Sequence, residues 1–267
     1  MLISNTTMFF SCSRIGKAKN LKENMVEKVS SGMRINKAAD DAAGISISES
    51  FKAQVRGLSQ AERNIQDGIS LLQVSDGALQ DVQKHLQRMK ELAVHASNGT
   101  LTDEDRKCID EEFLQIKNSI DSIAENTEFN GIKLLKENKS IKIQISDKPF
   151  TYYDLNLDKL DIEALNIKDS NLSNKTYAED SLQKIDRSIL KLNDSLNSIG
   201  ASTNELKHAL TNTTNSNINL SSSLSRIKDA DMASSVMNMV KSDVITQYSE
   251  FMYSVSKQDI ESVKKFI

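Results

Sequence analysis

A run of apolar residues seven apart constrains this chain most: Leu58, Ile65, Leu72, Leu79, Leu86 and Ala93. Offset by three, Ala61, Gly68, Ser75, Val82, Met89 and Ala96 mark a second seam position. A heptad sustained this long demands a long helix with one buried stripe, its two rows large and mostly small. The small row lets a neighbouring helix come close. Composition permits such helices, because the 267 residues include a single proline, Pro149, and nothing interrupts the first half. Aromatics are only 5%, too few for a strand-rich domain, and an apolar fraction of 38% suits a thinly cored, extended helical protein.

Other stripes follow the same logic. Ile15, Ala18, Met25 and Val29 predict a first helix ending near Ser30-Ser31-Gly32, with Asp40 or Asp41 capping the next one. Asn98-Gly99-Thr100 breaks the heptad helix, and Thr102 or Asp103 starts another that carries Ile109, Phe113, Ile116, Ile120 and Ile123. Two heptad helices joined by a short break read as an antiparallel hairpin. Asn130-Gly131 closes that segment. Alternation at Ile141, Ile143 and Ile145, Pro149 as a turn, and Thr151 to Leu157 then predict one β-hairpin within about 139–167, the only β element expected. A two-stranded hairpin cannot stand alone, so it leans on the helices.

Helix resumes near Ala178 with a third seam through Leu182, Ile185, Ile189, Leu192, Leu196 and Ile199. It continues through the Asn-, Ser- and Thr-rich stretch 211–225 only because Leu220 and Leu224 keep the register. A last helix from about Asp231 carries an apolar face of Val236, Val240, Val244, Phe251 and Val255. An amphipathic terminus with nothing left to pack against implies a partner.

The residues point away from chemistry. With 34 Lys+Arg against 37 Asp+Glu, the chain has no basic footprint for nucleic acid. It has no apolar run long enough for a membrane span, and its start does not resemble a Sec-type signal peptide. Cys12 and Cys108 have no metal-ligand neighbours and read as small buried hydrophobes. His85, His95 and His208 make no metal motif, and no phosphate loop or nucleophile elbow appears. The expectation is a protein that is not an enzyme and needs no cofactor or metal: a mainly α, elongated bundle of long heptad helices with one small β-hairpin, whose two ends seek other chains.

Specific strings sharpen this. Ser30-Ser31-Gly32-Met33-Arg34-Ile35-Asn36 and Asp40-Asp41-Ala42-Ala43-Gly44-Ile45 resemble the N-terminal signature of bacterial flagellins, as do Asn64 to Gln73 and Gln87 to Val94. Thr127 to Leu135 is similar to that family's helix-to-hairpin junction, and Ser225 to Ala233 to its C-terminal signature. The resemblance implies a subunit that is secreted unfolded through the flagellar type III channel and polymerises with itself into the extracellular filament. It divides the chain into a terminal-helix inner-tube domain, 1–43 plus 227–267, disordered until assembly and then pairing into a coiled coil, and a rod-like helical domain, 44–226, that includes the β-hairpin at about 139–167. Only 138–177 lies where larger flagellins insert outer domains. An export chaperone, a cap protein and hook-associated proteins are the helpers it implies.

It also implies contact with flagellin-sensing innate-immune receptors at Arg88, Leu92 and Glu112, of which Leu92 serves helix packing as well. Lys90 stands where the family commonly has arginine, and the two cations do not hydrogen-bond alike. Subunit and helix packing falls to Leu58, Ile65, Leu72, Leu79, Leu86, Ile185, Ile189, Leu192 and Leu196. Two stretches depart from the family pattern: 1–25, with Met8-Phe9-Phe10-Ser11-Cys12, and 257–267, where Lys264 and Lys265 favour the helix C-terminus electrostatically. The alternatives are a hook–filament junction protein or a minor diverged flagellin paralogue and, in a different class, an intracellular helical scaffold.

Overall fold

Long uninterrupted helices are what the sequence periodicity demands and what forms. The computed structural model describes the backbone of residues 2–265 and the side chains of residues 9, 10 and 12–258. Its elements are α1 (Leu2–Ser31), α2 (Ala42–Ala96), α3 (Asp103–Asn126), β1 (Glu128–Phe129), β2 (Ile132–Lys133), β3 (Lys139–Gln144), β4 (Tyr152–Leu157), α4 (Lys175–Lys228) and α5 (Met232–Lys265). The fold is mainly α. Two compact units arise, one from 1–55 with 218–267 and the other from 56–217.

In the 56–217 unit both heptad rows of α2 are inside: Ile65, Leu72, Leu79 and Leu86 are fully buried, as are Val82, Met89 and Ala96 of the smaller row. Phe113 and Ile120 from α3 and Ile185, Leu192 and Leu206 from α4 complete the core. Gly68 shows why small residues alternate with large ones. A methyl group there would run into Ile143 Cδ1 of strand β3 and come within 3.3 Å of Leu206 Cδ1 of α4, so strand and helix both approach this position.

Thr102 starts α3 through a reciprocal capping box with Asp105, which settles the choice left by the sequence. Arg106, 7% exposed, locks the preceding break: its guanidinium donates to the carbonyls of Ala96 (3.1 Å) and Asn98 (2.9 Å) and pairs with Asp103 (2.9 Å). These bonds satisfy carbonyls that the end of α2 leaves open.

β3 and β4 pair antiparallel, with Ile141 opposite Leu155 and Ile143 opposite Tyr153. The expectation of a single β element is corrected, because β1 and β2 form a second, two-residue hairpin. Asn130 (φ 50°) and Gly131 (φ 76°) both take left-handed conformations, the requirement of the tight turn that asparagine-glycine favours. Strands of two residues are too short to show alternation.

Residues 158–174 are irregular yet cover the core with Leu160, Leu165, Ile167 and Leu172. Helix side chains satisfy their backbone: Ser188 Oγ donates to Leu165 O (2.6 Å), Ser181 Oγ to Asn171 O (2.9 Å), and Lys117 Nζ to Lys168 O. The reading of both cysteines as buried is also corrected, since Cys12 and Cys108 are free and exposed.

Candidate assembly surface

The strings that carried the resemblance build a crossover between the two halves of the 1–55 and 218–267 unit. Gly32 turns α1 out of its helix at φ 69°, a conformation that disfavours other residues. Arg34 N donates to Lys228 O, and Ala230 N donates to Gly32 O (2.7 and 2.9 Å). The Arg34 guanidinium adds two bonds to Ile227 O.

Ser31 Oγ accepts from Met33 N and Asn36 Nδ2. The Asp40 carboxylate accepts from the backbone N–H groups of Lys37 and Asn36, which pull it below the usual carboxylate range. Asp41 is the residue that caps α2, through Gly44 N at 2.9 Å. A methyl group on Gly44 would sit 2.5 Å from that carboxylate and 2.7 Å from Ile35 Cδ1, so a larger residue there has to displace the capping carboxylate. Asp231 caps α5 in the same way through Ser234 N.

From this crossover α1 and α5 pack together. On α1 the half-buried and buried positions include Ile15, Ala18, Lys22, Met25 and Val29, a heptad stripe. On α5 the matching positions include Ser235, Met239, Ser242, Thr246, Ser249, Tyr253 and Ser256, mostly small and polar. One ion pair, Lys22 to Asp243, crosses at 2.5 Å.

The apolar residues of α5 lie about 180° away at helical periodicity. Val240 is 52%, Val244 60% and Phe251 64% exposed, and Val236 and Met237 join them. The helix therefore spends its polar stripe on α1 and presents its apolar face outward. Sequence reasoning identified that face but missed the serine stripe, whose heptad spacing is legible once serine is treated as a packing residue. Phe9 and Phe10 are exposed as well. The side chains of Met8, Ser11 and 259–267, part of the two departures, lie outside the described residues.

The other singled-out residues lie elsewhere. Leu58, Ile65, Leu72, Leu79, Leu86, Ile185 and Leu192 are buried, whereas Ile189 and Leu196 stand on the half-buried shoulder of α4 beside the buried Ser188 and Ser195. Arg88 reaches from α2 to α3, with Nε and Nη2 donating to Glu112 Oε1 (2.9 and 2.7 Å), and pairs with Glu91. Leu92 is 5% exposed and belongs to the core. Lys90 pairs with Asp186 of α4 at 2.8 Å. Among the described residues no group of three His, Cys, Asp or Glu side chains is arranged to hold a metal, and no helix is long and apolar enough to cross a membrane.

Comparison with known proteins adds to this geometry. Residues 4–140 match the family model described as the bacterial flagellin N-terminal helical region, and 182–267 match the C-terminal helical region. A flagellin of Halalkalibacterium halodurans is 36% identical over 271 residues, covering all of both chains. One of Bacillus subtilis is 31% identical over 298 residues, covering 98% of each. Among solved structures, a Bacillus cereus flagellin aligns over 57% of this chain and 88% of its own, with 36% identity and a TM-score of 0.52. A Vibrio parahaemolyticus protein titled a putative flagellar hook-associated protein shares the fold, with a TM-score of 0.61 over 71% of this chain and all of its own at 18% identity.

Proposed function

The chain belongs to the bacterial flagellin family and is a structural subunit of the flagellar filament, and we propose that it assembles through the outward apolar face of α5. The observation behind this is the inverted packing of that helix, with serines on α1 and Val240, Val244 and Phe251 in solvent. In a filament that face meets neighbouring copies. Burial there offsets the entropy of ordering the termini. Contacts that do not close into a ring extend into an open helical polymer.

In this reading 1–43 plus 227–267 forms the inner tube and 44–226 the rod-like domain around it. The rod carries no inserted outer domains, since only 138–177 stands between its flagellin-type halves. Export unfolded through the flagellar channel, a chaperone on α5, a distal cap and hook-associated neighbours complete the proposal. Disulfides are foreign to such a route, and both cysteines are free.

Immunogold labelling of source cells with an antibody to the chain tests this. Label along whole filaments is the expected result. Label confined to the hook–filament boundary makes it a junction protein, and label inside the cell makes it a scaffold.

A second reading is favoured by the exposed Arg88–Glu112 pair on α2 and α3: contact with a flagellin-sensing receptor, with Leu92 holding α2 from the core side. Soluble chain is then expected to activate a receptor-reporter cell, and Arg88→Ala to weaken the response. Silence from the unsubstituted chain rejects that reading.

A further inference from the structure

The turn between β3 and β4 places a bulky residue in a backbone conformation where glycine is usual. Phe150 sits at φ 64°, a left-handed backbone that a bulky residue rarely adopts, and its side chain is 90% exposed. The turn is nevertheless well tied. Gln144 Nε2 donates to Ser146 O (2.9 Å) and Lys148 O (2.6 Å), Ile145 N donates to Thr151 O (3.2 Å), and Pro149 stiffens the approach.

Asp147 rests on α2 so closely that a Cβ on Gly57 would come within 2.9 Å of its Cβ. A strained backbone held by surrounding bonds, with an aromatic presented to solvent, has the character of a preorganised binding anchor.

The same unit also carries a receptacle. An open groove of about 550 Å³ runs between α2 and the two hairpins. Its wall combines the apolar side chains of Phe129, Ile132, Ile141 and Ile143 with the amides of Asn64, Asn130 and Gln144. Asp67 and Lys142 also line it, and neither forms an ion pair among the described residues. The tip carries the complementary signs, Asp147 and Lys148 beside Phe150, likewise outside any ion pair among the described residues.

We propose that Phe150 is a plug that docks in this groove on a second copy of the chain, with Lys148 facing Asp67 and Asp147 facing Lys142. The proposal rests on the filament-subunit reading, which surrounds every subunit with copies of itself. It adds a contact of the 56–217 unit that is separate from the terminal helices. Each copy offers one plug and one groove, so the contact is heterologous and propagates.

Seeded growth of the purified full chain, read as critical concentration, tests it. Phe150→Ala is expected to raise the critical concentration roughly tenfold or more, as loss of an aromatic anchor does. A side chain so exposed cannot unfold the monomer when removed. Phe150→Gly also relieves the backbone, so it is expected to raise the melting temperature of the monomer while impairing growth.

Lys148→Asp is expected to weaken growth, and adding Asp67→Lys to the same chain to restore it. Unchanged growth of Phe150→Ala overturns the plug. Impaired growth that the charge exchange does not restore overturns the groove as its seat and assigns Phe150 to another partner. Failure of the unsubstituted chain to grow overturns the filament reading and this proposal together.

Discussion

The outward face of α5 gives the sharpest mutational prediction. Val240 and Val244 are 52% and 60% exposed, so each alanine substitution removes two methyl groups of which about half is available to a neighbour. At ~0.8 kcal/mol per buried methylene, that is ~0.8 kcal/mol for each valine and ~1.6 kcal/mol for Val240→Ala/Val244→Ala together. The critical concentration for seeded growth should then rise roughly 15-fold. Alanine is a better helix former than valine, so weaker growth cannot come from a weaker α5. Sedimentation of polymer from a dilution series measures the shift, with the melting curve of the soluble chain as the control. An unchanged critical concentration refutes the assignment of this face. So does a shift accompanied by an equal loss of monomer stability.

The fold that carries these surfaces responds to substitution and acid as well. Arg106→Ala leaves the Ala96 and Asn98 carbonyls without their donor and is expected to cost about 2–4 kcal/mol in urea denaturation, and a cost near zero contradicts the lock. Gly68→Ala crowds Ile143 and comes within 3.3 Å of Leu206 Cδ1, so a net loss of about 1 kcal/mol is expected after the helix-propensity gain, with Ile143→Val relieving it. Acid should act on the Asp40 and Asp105 carboxylates. Hydrogen bonds hold Asp40 down through the Lys37 and Asn36 amides, and Asp105 down through the Thr102 hydroxyl and amide. A folded pKa below the unfolded one means the stabilisation is present at neutral pH and lost as pH falls below the ordinary carboxylate range through the depressed value. Asp105→Asn should flatten that acid limb in pH-dependent denaturation, and an unaltered limb contradicts the assignment.

Periodicity made the helices legible because their buried rows are apolar and regular. Ile65, Leu72 and Leu79 announce their burial by spacing alone. Polar residues used for packing hid from the same logic. Ser181 and Ser188 lie deep in α4 because their hydroxyls bind carbonyls of the 158–174 connection, a function that only the distant partner reveals. The serine stripe of α5 is similar, and its apolar face was visible while its direction was not. The second hairpin escaped because two-residue strands have no period, although Asn130-Gly131 marked its turn. The left-handed Phe150 was only half legible, since Pro149 marks a turn but does not choose between the two turn types that proline favours there, one of which needs a positive φ at the next residue.

Filament assembly by this chain is checked by seeded polymerisation viewed by electron microscopy. Long filaments growing from the seeds are expected. Soluble monomer, under conditions in which an ordinary flagellin grows, would contradict it and place the cause in residues 1–25 and 257–267.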